Sequence, residues 1–131
     1  LSLTMLLSLA SLALAAPAPA LTNVQISRVT SSVIYNGEAI TPAQTQTAQD
    51  HAGLLTIKVR ETGYASFRAA TIDGASMKLI SKTAVVSGGI VIGYDCVWQY
   101  DFWTSGVGTV TVTSRNQSSP YNSITDRIYV K

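Results

Sequence analysis

The chain has 131 residues, of which only 12% are charged, and a formal net charge of +2 from nine basic and seven acidic residues. The basic residues are spread along the chain and form no stripe of the kind that nucleic-acid binders show, so no nucleic-acid partner is predicted. A single cysteine, Cys96, cannot form an internal bridge, which excludes the cysteine-dense toxin and growth-factor scaffolds.

The first twenty residues have the pattern of a secretory signal peptide. An uncharged Leu- and Ala-rich run over 1–14 gives way to small residues. The run is shorter than the roughly 20 apolar residues of a membrane span, and no later segment approaches that length, so no transmembrane anchor is predicted. A basic start is missing, and we expect the signal peptide to be N-terminally incomplete. Cleavage is expected after Ala15 or, alternatively, after Ala20. The sequence predicts secretion, into the periplasm if the source is Gram-negative, and a single domain over 21–131.

The first part of this domain carries weak strand signals. Segments 23–30 and 32–35 are predicted to be strands. The segment 36–53 contains Gly37, Pro42 and many Gln, Thr and Ala residues, which predicts a loop.

Clearer strands follow this loop. Apolar residues alternate with Thr, Lys and Arg over 54–62, which predicts a half-buried strand. A second strand over 66–72 ends at Asp73-Gly74, a dipeptide typical of a two-residue hairpin turn.

The strongest element is the segment 90–102, in which every even-numbered residue is apolar or aromatic. Period two over thirteen residues predicts a long strand with one aromatic face. The segment 78–86 is also predicted to be a strand, and the glycines of Ser87-Gly88-Gly89 favour a hairpin between the two.

A three-residue loop in this hairpin predicts its register. Lys82 would then face Tyr94, and Lys78 would face Trp98. Two lysines cannot be fully buried without partners. Either a bulge shifts the register, or this aromatic face leaves the core away from the turn.

The C-terminal part adds strands over 107–113 and 124–130, separated by a polar loop over 114–123. This loop contains Asn116-Gln117-Ser118, which matches an N-glycosylation acceptor. Seven to nine short strands with no long helical period predict an all-β fold. We expect a single antiparallel β-sandwich, immunoglobulin-like in character and without a structural disulfide.

Sequence motifs of metalloproteases, nucleotide-binding enzymes and α/β-hydrolases are absent, and neither a cofactor nor a metal site is predicted. A small hydrolase centred on Asp50, His51 and Glu61 is one alternative, because a catalytic histidine needs a carboxylate to orient it. Asp50 and His51 are neighbours near a predicted strand, so their side chains should diverge. A surface or capping histidine is the competing interpretation.

The aromatic strand is the favoured candidate site. Flat aromatic faces can stack on sugar rings, and lysines beside the rings add cation–π contacts. We therefore predict a secreted, non-enzymatic binding domain for carbohydrate or a cell-surface protein. Packing of the same rings in the core is one alternative, and an inhibitor or effector that binds a protein through a strand edge is another. The candidate ligand-binding residues are Tyr94, Trp98, Tyr100, Trp103, Lys78 and Lys82.

The segment Gln46-Thr47-Ala48-Gln49-Asp50-His51-Ala52-Gly53, followed by Glu61-Thr62-Gly63-Tyr64, resembles a family of short secreted bacterial proteins of unknown function. The resemblance implies a small extracellular β-rich domain. It implies no assigned activity and no catalytic residue.

Overall fold

The computed structural model describes residues 19–102 and 108–131, so the predicted signal peptide lies outside the described residues up to residue 18. The described residues form nine strands, and they include no helix long and apolar enough to cross a membrane. The strands are β1 (Asn23–Thr30), β2 (Glu38–Ala39), β3 (Gly53–Thr62), β4 (Ala65–Ile72), β5 (Ala75–Ser76), β6 (Lys78–Ser87), β7 (Ile90–Phe102), β8 (Gly108–Asn116) and β9 (Ser123–Val130).

Two antiparallel sheets share one hydrophobic core. The five-stranded sheet has the order β2-β1-β3-β7-β6, and the four-stranded sheet has the order β5-β4-β8-β9. Apolar side chains of both sheets pack together, which removes them from water and drives the association of the sheets. The predicted antiparallel β-sandwich without a disulfide is confirmed for the described residues. The fully buried members of the core include Ile26, Val29, Leu55, Ile57, Val59, Cys96, Val110, Val112, Ile128 and Val130.

Strand β3 shows how the sequence pattern builds this arrangement. Leu55, Ile57 and Val59 are buried, whereas the alternating Lys58 and Arg60 are exposed. Because successive side chains of a strand point to opposite faces, the charged residues lie on the side away from the core. We call this side of the five-stranded sheet the outer face.

The predicted Asp73-Gly74 turn is confirmed, with φ values of 49° and 85° at its two residues. The second hairpin differs from prediction because its loop has two residues, Gly88 and Gly89, both with positive φ. Ser87 therefore lies opposite Ile90.

Bulges in the β6–β7 pair shift the register further. One irregularity lies between Leu79 and Ser81, and Lys82 pairs with Cys96 instead of Tyr94. Lys78 pairs with Gln99, so its side chain lies on the outer face. The predicted register is wrong, and the bulge considered as its alternative is present.

The segment before β3 also differs from prediction. Residues 32–35 form bends and a turn instead of a strand, because the backbone N–H of Ser31 donates to the carbonyl of Ile34 at 3.2 Å. The predicted loop 36–53 contains the short strand β2, which pairs with β1.

Strand β8 extends to Asn116, beyond its predicted end. The side-chain amide of Asn116 donates to the carbonyls of Ser118 and Pro120 at 3.0 and 3.2 Å, and the residue is buried. Glycosylation modifies this same nitrogen, so the folded protein does not offer the predicted acceptor to an enzyme.

Candidate functional site

The aromatic strand does not form one exposed platform. Trp98 is only 6% exposed and belongs to the core, so its ring cannot stack on a ligand in the folded protein. Trp98 thus has the core position that the sequence left open as the alternative to a binding role. Trp103 lies outside the described residues.

Tyr94 is covered by two neighbours. The Lys82 ammonium group lies 4.7 Å from the centre of the Tyr94 ring, and the Tyr64 ring lies 5.6 Å away at 57°. The expected cation–π contact of this lysine is present despite the different register. Tyr94 is therefore half-buried between these two neighbours, while Lys82 itself is exposed.

Two predicted site residues, Lys78 and Tyr100, do meet at a surface cavity. Its volume is about 280 Å³. Tyr100 is half-buried and packs against the core, whereas Leu54, Lys78 and Asp101 are exposed. The cavity thus combines an apolar leucine side chain with residues that carry an ammonium, a carboxylate, an amide and a hydroxyl. Its lining residues are Leu54, Ser76, Lys78, Gln99, Tyr100 and Asp101.

Strand pairing explains why these polar groups converge. Leu54 lies opposite Asp101, and Gln99 lies opposite Lys78, so both pairs share the outer face. The amide nitrogen of Gln99 donates to the hydroxyl of Thr56 at 3.4 Å, which orients the amide. Four strands, β3, β5, β6 and β7, therefore hold the lining residues in place.

A second cavity of about 390 Å³ lies on the same face, and five polar residues line it. It brings together basic residues that are far apart in the sequence, since Arg28 lies opposite Lys58 across β1 and β3. Basic residues that are spread along the sequence are therefore brought together on this face by strand pairing. The lining residues are Gln25, Ser27, Arg28, Lys58 and Arg60.

Asp95 holds two of these cations. It accepts hydrogen bonds from Nε and Nη2 of Arg60 at 2.7 and 2.9 Å, and the Lys58 ammonium lies 3.8 Å away. The hydrogen bonds from Arg60, opposed by partial burial, lower the pKa of the Asp95 carboxyl. The carboxylate is therefore ionised at neutral pH, and the clamp on Arg60 is present there.

His51 is buried and hydrogen-bonded, which corrects the expectation of a surface histidine. Its Nδ1 lies 2.9 Å from the hydroxyl of Ser31, and its Nε2 lies 3.1 Å from Oε1 of Glu38. The Glu38 carboxylate also accepts from the backbone N–H of Ala48. The serine–histidine–carboxylate cluster thus connects the end of β1, strand β2 and the segment just before β3. No short motif in the sequence marked Ser31 or Glu38.

The structure separates the residues of the hydrolase alternative. Glu61 binds Nε and Nη2 of Arg68 at 2.9 and 3.0 Å and accepts from the Ser114 hydroxyl at 2.6 Å. His51 precedes β3, whereas Glu61 lies near the far end of that strand, eight residues or roughly 26 Å beyond Gly53. Asp50 is exposed, whereas His51 and Glu61 are both buried. These three side chains form no catalytic site.

The His51 cluster is also closed to substrate. Ser31 and His51 are both buried, and the Ile34 backbone N–H already donates to the serine hydroxyl. A neighbouring cavity of about 270 Å³ is lined by residues 33–37 and Gln49, and by no member of the cluster. A nucleophile must reach a reacting atom, so the cluster serves to fix the segment between β1 and β3.

Cys96 is a free, fully buried cysteine. Burial, with a smaller contribution from the Glu61 charge, raises the pKa of its thiol to about 11. The thiol is therefore neutral and packs as a small apolar side chain. Within residues 19–102 and 108–131, no three His, Cys, Asp or Glu side chains are grouped so as to hold a metal ion.

Residues 16–130 match a protein family described as a domain of unknown function, DUF4879. No curated protein and no solved structure matches the chain.

Proposed function

Because the chain belongs to the DUF4879 family, whose description assigns no activity, we propose its function from the surface groups of the sandwich. The protein is a secreted, non-enzymatic binding module of immunoglobulin-like character. It recognises carbohydrate through the cavity that contains Lys78 and Tyr100. The signal-peptide pattern of the first twenty residues supports secretion.

One observation carries this proposal, namely the composition of the cavity at Tyr100. A sugar presents an apolar ring face and a rim of hydroxyls. The exposed side chain of Leu54, beside Tyr100, offers an apolar surface for the first, while Lys78, Gln99 and Asp101 supply donors and acceptors for the second. The volume of about 280 Å³ lies just below the roughly 300 Å³ at which pockets for drug-sized ligands begin. The cavity therefore suits one sugar ring at a time.

The test is binding to an array of neutral and acidic glycans, followed by calorimetric titration of the best ligand. Lys78→Ala and Asp101→Ala each remove one charged group from the cavity while changing only exposed side chains. We expect each variant to weaken binding about tenfold, as the loss of one charge-assisted hydrogen bond does.

Lys82→Ala provides the matched control. It removes the same type of residue from the same strand, but Lys82 lies across from Cys96 and covers Tyr94. Binding by this variant should equal that of the unchanged protein. The proposal is overturned if no glycan binds, or if Lys82→Ala weakens binding as much as Lys78→Ala does.

A further inference from the structure

We propose that the cavity formed by Arg28, Lys58 and Arg60 is a second subsite, which binds the carboxylate groups of an acidic oligosaccharide. The inference rests on the proposed function, because it extends the glycan site along the same outer face. The second subsite predicts that the ligand is negatively charged, which the first cavity alone does not predict.

The balance of charge in the subsite favours an anion. Three cationic side chains surround the cavity, and the ion pairs of the described residues connect one carboxylate, that of Asp95, to them. Two positive charges therefore remain uncompensated at this part of the face. Such a local surplus raises the concentration of anionic ligands and speeds their association.

Arg28 and Lys58 retain hydrogen-bond donors for a ligand. A guanidinium nitrogen of Arg28 donates to the backbone carbonyl of Asn36, which is a neutral partner, and Arg28 makes no ion pair with the described residues. The Lys58 side chain is 45% exposed, and its contact with Asp95 is long, at 3.8 Å. Arginine has five N–H donors and lysine has three, so both can bind a carboxylate without losing these contacts.

The subsite is also held in place. Two short hydrogen bonds to Asp95 fix the Arg60 guanidinium, and the carbonyl of Asn36 fixes that of Arg28. The hydroxyl of Ser27 donates to the backbone carbonyl of Lys58 at 3.1 Å, which ties β1 to β3 beside the cavity. Groups that are positioned before binding lose less entropy when the ligand arrives.

The two cavities are placed for one extended ligand. Leu54 lines the first cavity and Lys58 lines the second, and these two residues lie four positions, or about 13 Å, apart along β3. A single sugar ring cannot reach both cavities. The ligand class is therefore a chain of several sugar rings that carries carboxylates, such as a polyuronate.

The experiment compares a short oligogalacturonate with the same oligomer in its methyl-ester form, by calorimetry at low and at high salt. The two probes share the same sugar chain, and the ester replaces each negative charge by a neutral methyl ester. We expect the free acid to bind at least about tenfold more tightly at low salt, and high salt to reduce this preference because it screens exposed charges. Lys58→Gln and Arg28→Gln should each remove most of the preference.

Arg115→Gln is the matched control, because it removes an exposed arginine from β8 of the other sheet. It should leave the preference unchanged. Equal affinity for the acid and the ester overturns the acidic subsite but leaves the proposed glycan cavity standing. If Arg115→Gln lowers the preference for the acid as much as Lys58→Gln does, the preference is unspecific charge attraction and the subsite is overturned as well. Tight binding of the acid that Lys78→Ala and Asp101→Ala do not weaken supports the subsite but refutes the proposed cavity.

Discussion

The cluster of Ser31, Glu38 and His51 shows that similar groups can serve catalysis or stability, depending on their access to solvent. The imidazole bridges a hydroxyl and a carboxylate, as in a hydrolase, yet its side chain is fully buried. Every polar atom of the cluster has a partner, so the cluster costs little in desolvation. Removing its central member would leave the other two buried without that partner.

We therefore predict that His51→Ala lowers the free energy of unfolding by about 1–3 kcal/mol, the usual cost of unpaired buried polar groups. The neighbouring Asp50→Ala, at an exposed position, should change it by less than about 0.5 kcal/mol. Urea denaturation measures both values. An unchanged midpoint for His51→Ala would contradict the structural role.

For single residues, the sequence pattern predicted which face of a strand a side chain lies on better than it predicted whether that face is buried. The period-two pattern correctly placed Cys96 and Trp98 on one face of β7, but it could not show that this face is covered by the second sheet. Likewise, Lys58 and Arg60 alternate on one strand, whereas Arg28 joins them only through pairing of β1 with β3. Contacts between distant segments decide burial and clustering, and one sequence does not contain them.

Among the elements, β3, β4 and β8 are joined by a buried ion pair. Glu61 of β3 accepts two hydrogen bonds from Arg68 of β4 and one from Ser114 of β8, and the carboxylate is only 1% exposed. The hydrogen bonds to Glu61 raise the pKa of the Arg68 guanidinium, against the effect of burial. This contact connects the two sheets through charge inside an apolar core.

We predict that Arg68→Met destabilises the fold by about 3–5 kcal/mol, because it leaves a carboxylate buried without its cation. The triple variant Glu61→Leu/Arg68→Met/Ser114→Ala removes all three polar groups and should recover most of that loss. Denaturant titration of both variants gives the comparison. If the triple variant is no more stable than Arg68→Met, the buried charge is not the cause of the loss.

Strong local patterns made some elements predictable. The strands β3 and β7 and the Asp73-Gly74 turn follow from period two and from residues that tolerate positive φ. Strand β2 has two residues and exists only because β1 lies beside it. The β6 bulge that moves Lys78 to the outer face likewise depends on the pairing partner, so the sequence alone could not locate the cavity.

At the scale of the whole molecule, the residues just before β1 are part of the fold. The carbonyl of Pro19 accepts a hydrogen bond from the backbone N–H of Tyr64 at 3.0 Å, and Ala20 bridges to the same residue. A Cβ atom at Gly63 would lie 2.0 Å from the carbonyl oxygen of Ala20, so this approach requires glycine. Leu21 is buried, and its N–H donates to Oδ1 of Asn116 at 3.1 Å.

These contacts distinguish the two expected cleavage positions. Cleavage after Ala20 would remove the Tyr64 contacts and turn the buried amide of Leu21 into a charged amine, which is costly to bury. Cleavage after Ala15 keeps every contact. We therefore predict that the mature protein begins at Ala16, and intact-mass measurement of the secreted protein reads this directly. A chain that starts at Leu21 should unfold at lower urea concentration than one that starts at Ala16. Recovery of a Leu21 terminus on a protein of equal stability would show that the segment before β1 is dispensable.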